Sequence, residues 1–212
     1  MQNNVTELVF ILDRSGSMAG LEGDVVGGFN ATLKAQREEE GTLLVSTVLF
    51  DNASQVLHDR VAGDKISPMT EKDFRVGGCT ALLDAVGGAI RHIGNIHKYA
   101  RPEDVPERTV FVITTDGHEN ASRHFTQKEV KAMIERQKEK YGWEFLFLAA
   151  NIDAAEAASS IGISRERAAE FRPDKDGVEL CYAMACSAIS RVRRREEDFN
   201  LADADSSEEP KA

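Results

Sequence analysis

Short apolar runs alternate along the chain with longer stretches of helical period. Leu8 to Leu12 is apolar and β-rich, the pattern of a strand covered on both faces. Leu43 to Phe50 and Ser54 to Leu57 read as two strands joined through Asp51-Asn52, a hairpin signal. Thr109 to Thr115 and Glu144 to Ala149 are two further buried-type strands, and Ala168 to Phe171 is a candidate sixth. Between them lie helical patterns. Asp24 to Glu39 places Val25, Phe29, Thr32, Leu33 and Gln36 on one stripe, and Leu82 to Ile96 does the same with Leu82, Val86, Ala89, Ile90 and Ile93. Thr126 to Lys140 opens with Thr126 and, three residues on, Glu129, which predicts a capping box. Asp153 to Ser160 reads as a short Ala-rich helix and Gly177 to Glu197 as a long terminal one.

Strands separated by helices of this length predict an α/β fold: a doubly wound, mostly parallel central sheet with helices on both faces. One short hairpin strand runs antiparallel at the edge. Sites in such sheets form outside the carboxyl ends of the strands, where the order of strands reverses. The loops to inspect therefore begin near Asp13, Gly77 and Asp116.

Composition narrows the class. The 212 residues have 42% hydrophobic content, as expected of a globular chain long enough to bury a sizeable core. Three cysteines rule out a disulfide scaffold. No apolar run approaches the ~20 residues of a spanning helix. The first residues are polar without a positive n-region, so the expectation is a cytoplasmic protein. The net charge of −10 argues against nucleic acid or an anionic membrane as partner. Residues 196–212 hold seven acids against Lys211 alone, which accounts for −6 of that charge. The expected division is one domain over residues 1–199 and an acidic, disordered tail over 200–212. The sequence leaves the oligomeric state open.

The first strand ends in Asp13-Arg14-Ser15-Gly16-Ser17. A carboxylate and two hydroxyls at every second residue point the same way in extended chain, so Asp13, Ser15 and Ser17 can converge. All three offer hard oxygen, which suits Mg²⁺ and disfavours zinc. The fourth strand ends in Thr114-Thr115-Asp116-Gly117, with a carboxylate at the same sheet edge. Gly77-Gly78-Cys79-Thr80 precedes the second long helix and adds one hydroxyl.

These three segments, in this order and after these elements, closely resemble the metal-ion-dependent adhesion site (MIDAS) of the von Willebrand factor A (vWA) domain family. The resemblance spans Glu7 to Arg195. It implies a Mg²⁺ or Mn²⁺ ion ligated directly by Ser15 and Ser17. It also implies Asp13 acting through water, and Thr80 and Asp116 bound directly or through water. The family's ion is often completed by a partner's Asp or Glu carboxylate, so the implied function is a metal-dependent protein-binding module, an adaptor or subunit of a larger complex and not an enzyme. Many members have Pro where this chain has Ala81.

Blander roles compete for the neighbouring residues. Asp84 reads first as an acid complementing the helix dipole, and Thr80 as a helix N-cap. Glu119 and Asn120 either rim the site or sit in a solvated loop. His92 and His97 are five apart, off the spacing for a shared metal, and His118 and His124 have no nearby Cys. Gly27-Gly28 and Gly87-Gly88 suggest close helix-to-sheet packing. Arg191 to Arg195 read as solvated and self-paired. The rival function is a Mg²⁺-dependent hydrolase or phosphotransfer enzyme with His118 as base, although no P-loop and no Gly-x-Ser-x-Gly elbow is present.

Overall fold

A computed structural model describes residues 4–196 and 199–201 of the chain. Six strands form one sheet: β1 Val5–Asp13, β2 Thr42–Phe50, β3 Ser54–Ala62, β4 Arg108–Thr115, β5 Glu144–Ala149 and β6 Ala168–Glu170. Their spatial order is β3-β2-β1-β4-β5-β6. All neighbours pair parallel except β2 and β3. The five α-helices are α1 Glu22–Glu38, α2 Leu82–Tyr99, α3 Gln127–Tyr141, α4 Ala154–Ser160 and α5 Lys175–Arg193.

Alternation along the central strands assigns the faces. Leu8, Phe10 and Leu12 of β1 pack with Phe29 of α1 and with Tyr182 and Ile189 of α5. Val9 and Ile11 pack on the other face with Val86 and Ile90 of α2, Val130 of α3 and Ala158 of α4. Both faces of β1 are thus sealed, which explains its unbroken apolar run. β1 lies between β2 and β4, so the chain order reverses beside it, and Asp13 ends β1 at that point.

Several elements differ from the sequence reading. β3 has nine residues, not the four expected from Ser54 to Leu57. As an edge strand it is only half covered, and a bulge opposite Thr47 breaks its alternation, with Arg60 at φ 50°. The terminal helix starts earlier, at Lys175, because the Asp174 carboxylate caps it by accepting from Gly177 N at 2.8 Å. Its expected end at Glu197 lies outside the described residues.

The glycine pairs do not serve helix-to-sheet contact. A Cβ on Gly28 would lie 2.3 Å from the Tyr182 ring of α5, and one on Gly87 2.6 Å from the Phe125 ring. Gly27 and Gly88 face open space. Arg193 is not solvated: it is 8% exposed and donates to the carbonyls of Gln36 and Glu40, tying α5 to the end of α1. Its neighbours pair across the molecule, Arg194 with Glu39 and Arg195 with Glu107. Phe199 and Leu201 are buried in the α1–α5 core. Of the segment read as a tail, 202–212 lies outside the described residues.

Candidate metal centre

Asp13 closes β1 and is wholly buried. Its Oδ1 accepts the Ser15 N–H at 2.8 Å and its Oδ2 accepts the Thr115 hydroxyl at 2.6 Å, a bond across to β4. The chain then makes a short 3-10 turn, Gly16–Met18, anchored by the buried Met18 side chain. This turn sets Ser15 Oγ 3.1 Å from Ser17 Oγ. The Ser17 hydroxyl donates to Asp116 Oδ1 at 2.6 Å. Four of the five expected residues, Asp13, Ser15, Ser17 and Asp116, are therefore joined through short contacts around one point.

Thr80 reaches the same point from a different loop. A Cβ on Gly117 would lie 3.3 Å from Ser17 Oγ and 3.4 Å from Thr80 Oγ1, so both hydroxyls border the same glycine. The Thr80 loop is held by backbone: Gly16 N donates to Gly78 O at 3.1 Å and Gly77 N to Arg14 O at 2.9 Å. Gly78 takes φ +80°, and a Cβ there would meet Asn52 Oδ1 at 2.2 Å, so glycine is required twice over. Asn52 Oδ1 in turn accepts the Cys79 N–H at 2.8 Å.

Thr80 is not the N-cap of α2. Ala81 holds that position and has no side-chain cap of its own. The loop after β4 supplies the caps instead: Glu119 Oε2 accepts Leu83 N–H at 2.9 Å and Ser122 Oγ accepts Asp84 N–H at 3.0 Å. Asn120 Oδ1 accepts Thr80 N–H at 2.9 Å, and Asn120 N donates back to Thr80 O at 3.1 Å. Asp84 answers from the helix, accepting N–H groups of Arg123, His124 and Phe125 at 2.8–2.9 Å. Burial alone would raise the Asp84 carboxyl, but these three donors outweigh it and hold it below the ordinary range. Glu119, Asn120 and Asp84 thus clamp the Thr80 and Asp116 loops together. Their only signal in the sequence is proximity to Asp116 and Thr80.

The electrostatics are unbalanced. Burial pushes both carboxyls up, Asp13 against its bonds from Thr115 and Ser15, Asp116 against its bond from Ser17, and the Asp116 charge raises Asp13 further. Arg14 gives no relief, because its guanidinium turns away to Asp51 at 3.0 Å and Gln55 at 2.7 Å. Asp116 Oδ2 is buried and has no hydrogen-bond partner among the described residues. An orphaned carboxylate oxygen beside a second buried carboxylate and three hydroxyls is what a cation would satisfy, so the residues fit a hard metal ion. Ser17 is exposed and opens the cluster to solvent. Among the described residues no group of three His, Cys, Asp or Glu is placed to hold a metal.

No family model matches the sequence, and no curated protein does. Solved structures do. A von Willebrand factor type A protein from Catenulispora acidiphila matches with TM-score 0.57 and 13% identity, over 98% of this chain and 44% of that one. The chain has a von Willebrand factor A fold. The ArnB paralog VWA2 from Sulfolobus acidocaldarius shares this vWA architecture at TM-score 0.53 and 16% identity, over 87% of this chain and 45% of its own. Proximal thread matrix protein 1 from the mussel byssus, in a structure with a zinc-occupied MIDAS motif, matches at TM-score 0.54 and 16% identity, over 85% and 46%. The chain thus spans about half the length of these proteins. At such identities the likeness establishes the shared vWA fold alone. No described helix is long and apolar enough to cross a membrane.

Proposed function

We propose that the chain is a divalent-metal-dependent protein-binding module. In this reading Asp13, Ser15, Ser17, Thr80 and Asp116 hold the ion, and a partner's Asp or Glu carboxylate completes its coordination. The observation that carries the proposal is the buried Asp116 Oδ2 without a partner, set among hydroxyls at the carboxyl edge of the sheet. Thr115 and the Ser15 N–H fix the Asp13 carboxylate, and the 3-10 turn presents Ser15 and Ser17 side by side. The ion would supply an electrophilic point that attracts an anionic side chain, because oxygen ligands bearing two formal negative charges leave it able to take another. All five side chains offer hard oxygen, which favours Mg²⁺ or Mn²⁺. The zinc in the mussel protein's MIDAS motif supports a divalent cation at such a site and makes Zn²⁺ a necessary arm of the test.

The proposed partner is a protein, not nucleic acid or membrane, and the proposed setting is a cytoplasmic multi-protein complex. The rival hydrolase finds less support: His118 is exposed, and no residue holds its ring by a described hydrogen bond. Calorimetric titration of Mg²⁺, Mn²⁺ and Zn²⁺ into the metal-free protein tests the site. Binding to the wild type and its loss in Asp13→Ala is the expected result. Equal binding by both proteins overturns the assignment.

A further inference from the structure

The edge of the sheet opposite the candidate metal centre collects aromatic and basic side chains. α2 and α3 lie on one face of the sheet and both end there, shortly before β4 and β5 begin. A Cβ on Gly94 would lie 3.3 Å from Gln137 Nε2 and 3.9 Å from the Trp143 ring, so the last turns of the two helices are neighbours. One turn further on, they carry Lys98 and Tyr99 on α2, and Lys140 and Tyr141 on α3. Tyr99 is 78% exposed and Tyr141 51%. Lys98 Nζ lies 5.0 Å from the Tyr99 ring centroid, and Lys140 Nζ 5.2 Å from that of Tyr141. Hydrogen bonding and charge from Lys140, and then from Arg136, hold the Tyr141 phenol below its ordinary range. The acids that flank these turns in the chain are engaged elsewhere: Glu103 and Asp104 by Arg101, Glu135 by Lys131 and Glu144 by Arg167. That leaves Glu139 against Lys98, Arg136 and Lys140, none of which forms an ion pair among the described residues.

The chain returns to this edge at its last described residues. Arg167 donates to the Phe199 carbonyl and pairs with the Glu144 carboxylate at 3.1 Å, so Phe199 lies beside the start of β5. Tyr141 precedes Glu144 by three residues, at most about 11 Å of chain. Residues 202–209, which follow, carry Asp203, Asp205, Glu208 and Glu209 and no base. We propose that this acidic segment docks on the Tyr99–Tyr141 patch of its own chain. Its eight residues reach about 26 Å when extended, more than twice the stretch from Glu144 to Tyr141. Ammonium, guanidinium and phenol groups all donate to carboxylates, so the patch offers the segment charge-assisted hydrogen bonds. A tethered segment meets the patch at an effective concentration on the order of millimolar, ahead of a free acidic peptide. Nucleic acid, the other polyanion, is opposed by the net charge of −10. Docked in this way, the segment keeps its carboxylates at the edge opposite the candidate metal centre. The docking stands apart from the metal-dependent reading.

The test uses the full chain. A water-soluble carbodiimide joins lysine amines to carboxylates in direct contact. In an equal mixture of isotope-labelled and unlabelled protein, it is expected to link Lys98 or Lys140 to residues 203–209 within one chain, as read by mass spectrometry of the digest. Arg136→Glu should lower the yield of those links severalfold. A second variant carries Asp203→Asn, Asp205→Asn, Glu208→Gln and Glu209→Gln. Its backbone amides at Tyr99, Lys140 and Tyr141 should be shifted from the wild-type positions in NMR spectra at low salt. The difference should vanish at about 1 M salt, where the Debye length is about 3 Å. Absence of any link to Lys98 or Lys140, a yield indifferent to Arg136→Glu, or coincident amide shifts at low salt overturns the proposal. Links found only between labelled and unlabelled chains overturn it in favour of a second copy as the source of the segment.

Discussion

His58 and Asp116 are both residues whose protons respond to the fold, but only His58 sits far from the candidate metal centre. Its Nδ1 lies 3.0 Å from the Thr47 hydroxyl and its ring stacks on Phe29, with centroids 6.4 Å apart. Burial lowers its pKa below the ordinary 6.5, with the Asp73 charge opposing. The folded state therefore resists the proton that the unfolded chain accepts. His58's contribution is complete above pH 6.5 and is lost as pH falls through the lowered value. Denaturant titrations between pH 7.5 and 5 should give a steeper loss of stability in the wild type than in His58→Gln, and parallel slopes would refute this. At this scale the sequence was informative about the cluster of oxygens at the strand ends, because their spacing and residue types are local. It did not show that Glu119, Asn120 and Asp84 join two loops. Their roles exist only where two loops, some forty residues apart in the chain, exchange N–H groups and carboxylates.

Among the elements, α1 and α5 make the contact that the glycine pair serves. Gly28 admits the Tyr182 ring, whereas Gly27 faces open space on the next position of the same helix. Gly28→Ala should cost about 1–3 kcal/mol by overpacking. Gly27→Ala should stabilise by up to about 1 kcal/mol, since alanine is the better helix former. Urea unfolding of the two variants should move the midpoint in opposite directions, and equal shifts would show that Tyr182 yields. Periodicity made the helices and the doubly covered strands legible. It failed at β3, where one open face and a bulge blur the alternation. It also failed at the start of α5, where the Asp174 cap outweighs the position of the first apolar residue.

For the molecule as a whole, the two buried carboxylates at the end of β1 and β4 are a standing cost that metal binding would offset. A saturating ion at a hundred times its dissociation constant adds about 2.7 kcal/mol. For a chain of this size that corresponds to a rise in Tm of roughly 5–10 °C. Calorimetric melting with Mg²⁺ against EDTA should show it in the wild type and not in Asp13→Ala. A wild type indifferent to Mg²⁺, Mn²⁺ and Zn²⁺ alike would count against the metal centre. Charge follows the same division. Most of the net −10 belongs to residues 196–212, whereas the candidate site bears only Asp13 and Asp116, whose combined charge one divalent ion cancels.

The sequence by itself determined the alternation of strands and helices, the two-faced burial of β1, and the identity of the oxygens at the strand ends. Each of these is a local matter of period, residue type and spacing. Only the tertiary structure decided that β1 and β4 are neighbours, that Thr115 bonds Asp13 across them, and that Asp116 keeps one oxygen unpartnered. These facts depend on strand order and loop closure. Such long-range pairings are set by the packing of whole elements, which no local pattern encodes.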